Sequence, residues 1–89
     1  MSRPWEADPG TTFTRRLGKS PQELGVTAGG PECPEIWELE NGDFAVIGRD
    51  LTTSLGARLP NGVSISRDER LVVIPRSTLI SAKTDIPHV

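Results

Sequence analysis

The sequence predicts an α+β domain: a small antiparallel or mixed sheet of about four strands, including an Asn-Gly hairpin, with short helices packed on one face. Three observations predict it. Asn41-Gly42 separates two runs of alternating apolar residues, a helix-opening Ser20-Pro21-Gln22-Glu23 precedes them, and a leucine stripe followed by an apolar run at 71–74 comes after them. Stripes of both periods on one short chain are buried most simply by laying helices against a sheet.

The elements follow in chain order. Residues 1–19 carry Pro4, Pro9, Gly10, threonines at 11, 12 and 14 and the basic pair Arg15 and Arg16, with Trp5, Phe13 and Leu17 as the large apolar side chains. So little apolar surface predicts a disordered tail and leaves residues 20–89 as a single small domain. Ser20 then supplies a hydroxyl at N-cap, Pro21 stands at N1 and Glu23 at N3, the residue types that satisfy the free N–H groups of a first helical turn. Gly25 ends that turn early, and Gly29, Gly30, Pro31 and Pro34 make the next stretch a loop.

From Glu35 the pattern changes to period two. A two-residue Asn41-Gly42 loop pairs Glu40 with Asp43, Leu39 with Phe44, Glu38 with Ala45, Trp37 with Val46 and Ile36 with Ile47, and so places Trp37, Leu39, Phe44 and Val46 on one face. That register sets Glu40 against Asp43, a like-charge pair that points to a wider loop or a cationic neighbour. Asp50 is the expected N-cap of an amphipathic helix at 51–59, where Leu51, Leu55 and Leu59 recur every four residues; Pro60-Asn61-Gly62 terminates it. Val63 and Ile65 alternate with serines, which predicts a short strand turning through 67–70 into the run 71–74, apolar on both sides and therefore central. Pro75 stops that strand and opens a helix over 76–83, with Leu79, Ile80 and Ala82 available for burial.

Composition narrows the function. The chain has 89 residues and a net charge of −2, too acidic for a protein that coats nucleic acid. The charge is unevenly spread: through residue 47 there are four basic and eight acidic residues, and from Gly48 onward six basic and four acidic. The single Cys33 closes no intramolecular disulfide, and the absence of a signal peptide or a long apolar run predicts a cytoplasmic protein without a membrane span. A fold of about 60 residues is marginal by itself, which favours a homodimer or a bound protein partner.

Candidate site residues are few. Cys33 and His88 form no recognisable nucleophile–base pair, and one cysteine with one histidine falls short of a zinc ligand set, so neither a catalytic centre nor a cofactor is expected. No GxGxxG, GxxxxGK[ST] or HExxH occurs. The acidic series Glu32, Glu35, Glu38, Glu40 and Asp43 brackets the first strand of the hairpin and reads as a solvated edge that deters strand aggregation, as a docking rim for a basic partner, or as a cation site. Trp37 reads either as a core residue or as a partner anchor with Glu38, Glu40 and Asp43 beside it, because its large apolar ring serves both uses. Arg67, Arg70 and Arg76 flank the apolar run and are the candidates for nucleic-acid contact.

The segments Pro21-Gln22-Glu23-Leu24-Gly25, Cys33-Pro34-Glu35-Ile36-Trp37-Glu38-Leu39, Asn41-Gly42-Asp43-Phe44-Ala45-Val46-Ile47-Gly48 and Arg70-Leu71-Val72-Val73-Ile74-Pro75-Arg76 together resemble a family of small uncharacterised actinomycete proteins. The resemblance spans residues 20–87 and implies a companion of helix-turn-helix regulators with no catalytic residues. Val72-Val73-Ile74-Pro75-Arg76 is also similar to the strand-proline-basic step of swapped-hairpin transcription factors of the antitoxin type, which implies a DNA-binding dimer. Three functions are thus carried forward: a regulatory protein-binding adaptor, an antitoxin-like DNA-binding dimer, and a small-molecule binder or enzyme accessory subunit.

Overall fold

The computed structural model describes residues 3–30 and 33–88. Strands β1 (Phe13–Leu17), β2 (Glu35–Leu39) and β3 (Phe44–Ile47) form an antiparallel sheet in the order β1-β2-β3. A second, two-stranded sheet pairs β4 (Arg49–Asp50) with β5 (Val72–Val73). Helices α1 (Pro21–Leu24), α2 (Thr52–Gly56) and α3 (Arg76–Ala82) and a closing 3-10 turn (Lys83–Asp85) complete the α+β fold. The strands are divided three and two, where the sequence pattern predicted one sheet of about four.

The expected tail contains a strand. β1 lies within residues 1–19 and pairs with β2 from Ile36 to Leu39, with Phe13 opposite Leu39, Arg16 opposite Trp37 and Leu17 opposite Ile36. Its apolar content is low because two of its five residues are arginines that meet β2 through ion pairs: Arg15 Nε donates to Glu38 and Arg16 Nε to Glu35, both at 2.8 Å. The sheet therefore begins before residue 20.

The hairpin forms at the expected place with a register shifted by one residue. Ile36 faces Val46, Trp37 faces Ala45 and Glu38 faces Phe44, around a three-residue loop of Glu40, Asn41 and Gly42. Gly42 takes a left-handed φ of 92° and donates its N–H to Leu39 O, while Leu39 N–H donates to Asp43 O, the geometry of a type I turn with a glycine bulge. This is the wider loop that the Glu40–Asp43 repulsion favoured. A one-residue slip moves side chains to the other face. Trp37 and Leu39 thus share a face with Phe13 and Arg16, whereas Phe44 and Val46 lie on the opposite face with Ile36 and Leu17.

α1 carries the full capping box: Ser20 Oγ accepts from Glu23 N–H, Ser20 N–H donates to Glu23 Oε1 at 2.9 Å, and Gly25 caps the C-terminus at φ 67°. α2 is shorter than the leucine stripe, because Gly56 has poor helix propensity and Pro60 bars extension. Leu51 stands at its N-cap, and Asp50 supplies the capping oxygen from one residue earlier, accepting from Thr52 N–H at 3.0 Å.

No strand forms at residues 63–66, where Val63 N–H instead donates to Pro60 O in a turn. The run 71–74 contributes only the two-residue β5, and Val72 and Val73 are each 39% exposed. It is not a central strand, because among the described residues its one strand partner is the two-residue β4.

The buried core is small. Leu17, Ile36 and Ala82 form it, with Thr78 and Pro21 also buried and Ile74 packed at its margin. α3 lies over β2 with Thr78 and Ala82 inward, whereas Leu79 and Ile80, expected inside, are exposed. Small inward residues let the helix approach Gly18 closely: a Cβ on Gly18 would stand 2.7 Å from Ala82 N. The α3 side of the sheet is therefore the covered face, and the side bearing Trp37 is the open face.

Candidate functional site

The open face holds an aromatic platform built by β1 and β2. The Phe13 ring meets Trp37 edge-on, centroids 5.7 Å apart at 84°, and the Arg16 guanidinium lies over the Trp37 ring at 4.9 Å. One carboxylate fixes both partners: Glu35 Oε1 accepts from Trp37 Nε1 and from Arg16 Nε, each at 2.8 Å. The Glu35 side chain is 12% exposed, so these charge-assisted bonds are shielded from water. Indole, guanidinium and carboxylate are thereby held in one geometry, and Phe13 projects from them at 59% exposure.

The residues expected to surround Trp37 are not assembled into one rim. Glu38 is on the covered face and is paired with Arg15, whose second nitrogen donates to Asp85 O at 2.7 Å. Glu40 is exposed in the hairpin loop and its N–H donates to Thr12 O. Asp43 accepts from Trp5 Nε1 at 3.2 Å and from Asn41 Nδ2 at 3.4 Å. Glu35 and Glu38 thus act as structural counter-ions to β1 on opposite faces, and Glu32 lies outside the described residues.

The three candidate nucleic-acid contacts are separated along the chain by β5. Arg67 and Arg70 precede it in an exposed loop, where Arg70 donates to Arg67 O at 3.1 Å and Glu69 O at 2.7 Å. Arg76 opens α3 and is exposed. Nearby, Arg3 donates to Asp68 Oδ1 at 2.8 Å, and this bond with that of Ser66 holds the Asp68 carboxyl well below the usual aspartate range.

Cys33 is half-buried beside a mostly apolar groove of about 450 Å³, lined by Val26, Ile47, Leu51, Ile74 and Pro75 among others. His88 is exposed near the C-terminus. Among the described residues no helix is long and apolar enough to cross a membrane.

Sequence reasoning missed Phe13, Arg16 and the role of Glu35, because it treated residues 1–19 as a tail. The readable signal was Phe13-Thr14-Arg15-Arg16-Leu17, a strand-favouring segment with two cations positioned to meet the glutamates of β2. No family model, curated protein or solved structure matches the chain.

Proposed function

We propose that this chain is a non-enzymatic, protein-binding regulatory module that works by stoichiometric contact through the open face of its sheet. The observation that carries the reading is the exposed Phe13 ring seated on a Trp37 side chain immobilised by Glu35 and Arg16. A rigid aromatic surface loses little conformational freedom on binding, which is why such groups act as interface anchors. Phe13 takes the exposed anchor position and Trp37 supports it. The companion role implied by the resemblance to small actinomycete proteins is of the same kind, and a cytoplasmic setting accords with it.

The test is capture of the tagged protein from extract of its own host at near-physiological salt, with co-eluting protein identified and nucleic acid quantified. One stoichiometric protein partner, with capture weakened by more than about 2 kcal/mol in folded Phe13→Ser, is the expected result. Capture indifferent to Phe13→Ser would reject this surface. Salt-labile DNA in the eluate, lost on mutation of Arg67, Arg70 and Arg76, would replace the reading with a DNA-binding one.

A further inference from the structure

We propose that β3 is the seam of a two-fold dimer, pairing antiparallel with β3 of a second copy of this chain to make one continuous six-stranded sheet. The two edges of the three-stranded sheet differ in kind. β1 carries Arg15 and Arg16 and a register irregularity between Phe13 and Arg15, the devices that keep an edge strand from pairing. β3 reads Phe-Ala-Val-Ile, without charge, proline or bulge. Phe44, Val46 and Ile47 are 44–46% exposed along it. An unguarded apolar edge of this type pairs with another strand.

The hydrogen-bond phase says which backbone groups are free. Leu39 bonds to Asp43, so by alternation Ala45 and Ile47 address β2, while the N–H and C=O of Phe44 and Val46 point outward. β5 does not occupy that edge. Leu51 N–H donates to Leu71 O, so β5 engages β4 through Leu51 and Arg49, the same odd-numbered set that meets β2.

Two outward-facing residues two apart define a self-complementary register. Phe44 and the partner's Val46 exchange hydrogen bonds, Val46 and the partner's Phe44 do the same, and the two-fold axis passes between facing Ala45 residues. Extended along the strands, this register sets exposed Arg49 one diagonal position from the partner's Asp43 on the open face, within reach of a long cationic side chain.

The accessible surface is large enough to give a second copy a standard interface. It is 6989 Å² for a chain of 9.6 kDa, against about 5,100 Å² for a compact monomer of that mass. The radius of gyration is 14.6 Å, against about 12 Å for a compact chain of this length. The excess, about 1,900 Å², is more than twice the ~800 Å² that a standard interface takes from each partner.

Sedimentation equilibrium between about 1 and 100 µM is expected to give twice the 9.6 kDa chain mass. Val46→Pro removes an outward N–H that β2 does not use, and Ala45→Lys sets two ammonium groups against each other at the axis. Each is expected to raise the dimer dissociation constant roughly 100-fold with circular dichroism unchanged. A wild-type monomer throughout, or a dimer that either folded variant leaves intact, overturns the seam. If both variants lose their fold, amide exchange on the unmodified protein decides: Phe44 and Val46 N–H slowed at high concentration support the seam, and rapid exchange at both overturns it.

Discussion

Gly18 beneath α3 and Thr78 on its inward side meet at the contact between helix and sheet. Gly18 sits at φ 81°, and a Cβ there would meet the Ser81 side chain and the backbone of Ala82. Gly18→Ala combines left-handed strain with a clash that only movement of α3 relieves, so it is expected to cost about 3 kcal/mol in urea unfolding. Thr78 presents the opposite case. It is 1% exposed and its Oγ1 has no hydrogen-bond partner among the described residues, so the site bears the desolvation cost of a hydroxyl and gains no bond. Thr78→Val keeps the branched shape and removes the oxygen. It is expected to raise stability by about 1 kcal/mol, and an equal or lower urea midpoint would show that the hydroxyl is satisfied in solution.

At the scale of elements, local chemistry was legible and partnership was not. Ser20-Pro21-Gln22-Glu23 forms its capping box because every bond involved spans three residues. The Asn-Gly loop was readable for the same reason, and Glu40 facing Asp43 even signalled its true width. The runs 63–66 and 71–74 misled, because alternation of Val63 with Ile65 and a string of apolar residues report burial only when another strand lies alongside. β1 was hidden because its affinity for β2 rests on two arginines whose counter-ions stand some 20 residues away, and the aromatic platform was hidden with it. The capping box makes a prediction of its own. Ser20, through its N–H and then its hydroxyl, holds the Glu23 carboxyl below the ordinary glutamate range. A group whose native pKa is depressed stabilises the fold above its unfolded pKa and loses that contribution as pH falls through the native one. Ser20→Ala is expected to lower stability by about 1 kcal/mol at neutral pH. Glu23→Gln, which removes the titrating carboxyl itself, should flatten the stability profile between pH values near the ordinary glutamate pKa and the more acid native one, and an unaltered acid limb would assign that limb to other carboxylates.

For the whole molecule, the decisive question is where the folding unit begins. The buried core is Leu17, Ile36 and Ala82, and one of those three belongs to β1. Removing residues 1–19 takes away Leu17, the counter-ions of Glu35 and Glu38, and the Gly18 N–H that donates to Asp85 Oδ2 at 2.7 Å. What is left of the sheet is a two-stranded hairpin, with only Ile36 and Ala82 of the core, and a hairpin is marginal at best in water. Removing only residues 1–10 takes away the exposed Arg3–Asp68 and Trp5–Asp43 contacts, and exposed pairs of this kind contribute little. The shorter truncation is therefore expected to unfold in a cooperative transition close to that of the full chain, and the longer one to show neither a cooperative transition nor dispersed amide resonances. If a fragment of residues 20–89 folds cooperatively, β1 is an accessory to a core that β2, β3 and α3 complete without it. The aromatic platform would then be an addition to the domain, with Phe13 and Arg16 free to leave Trp37 without unfolding the rest.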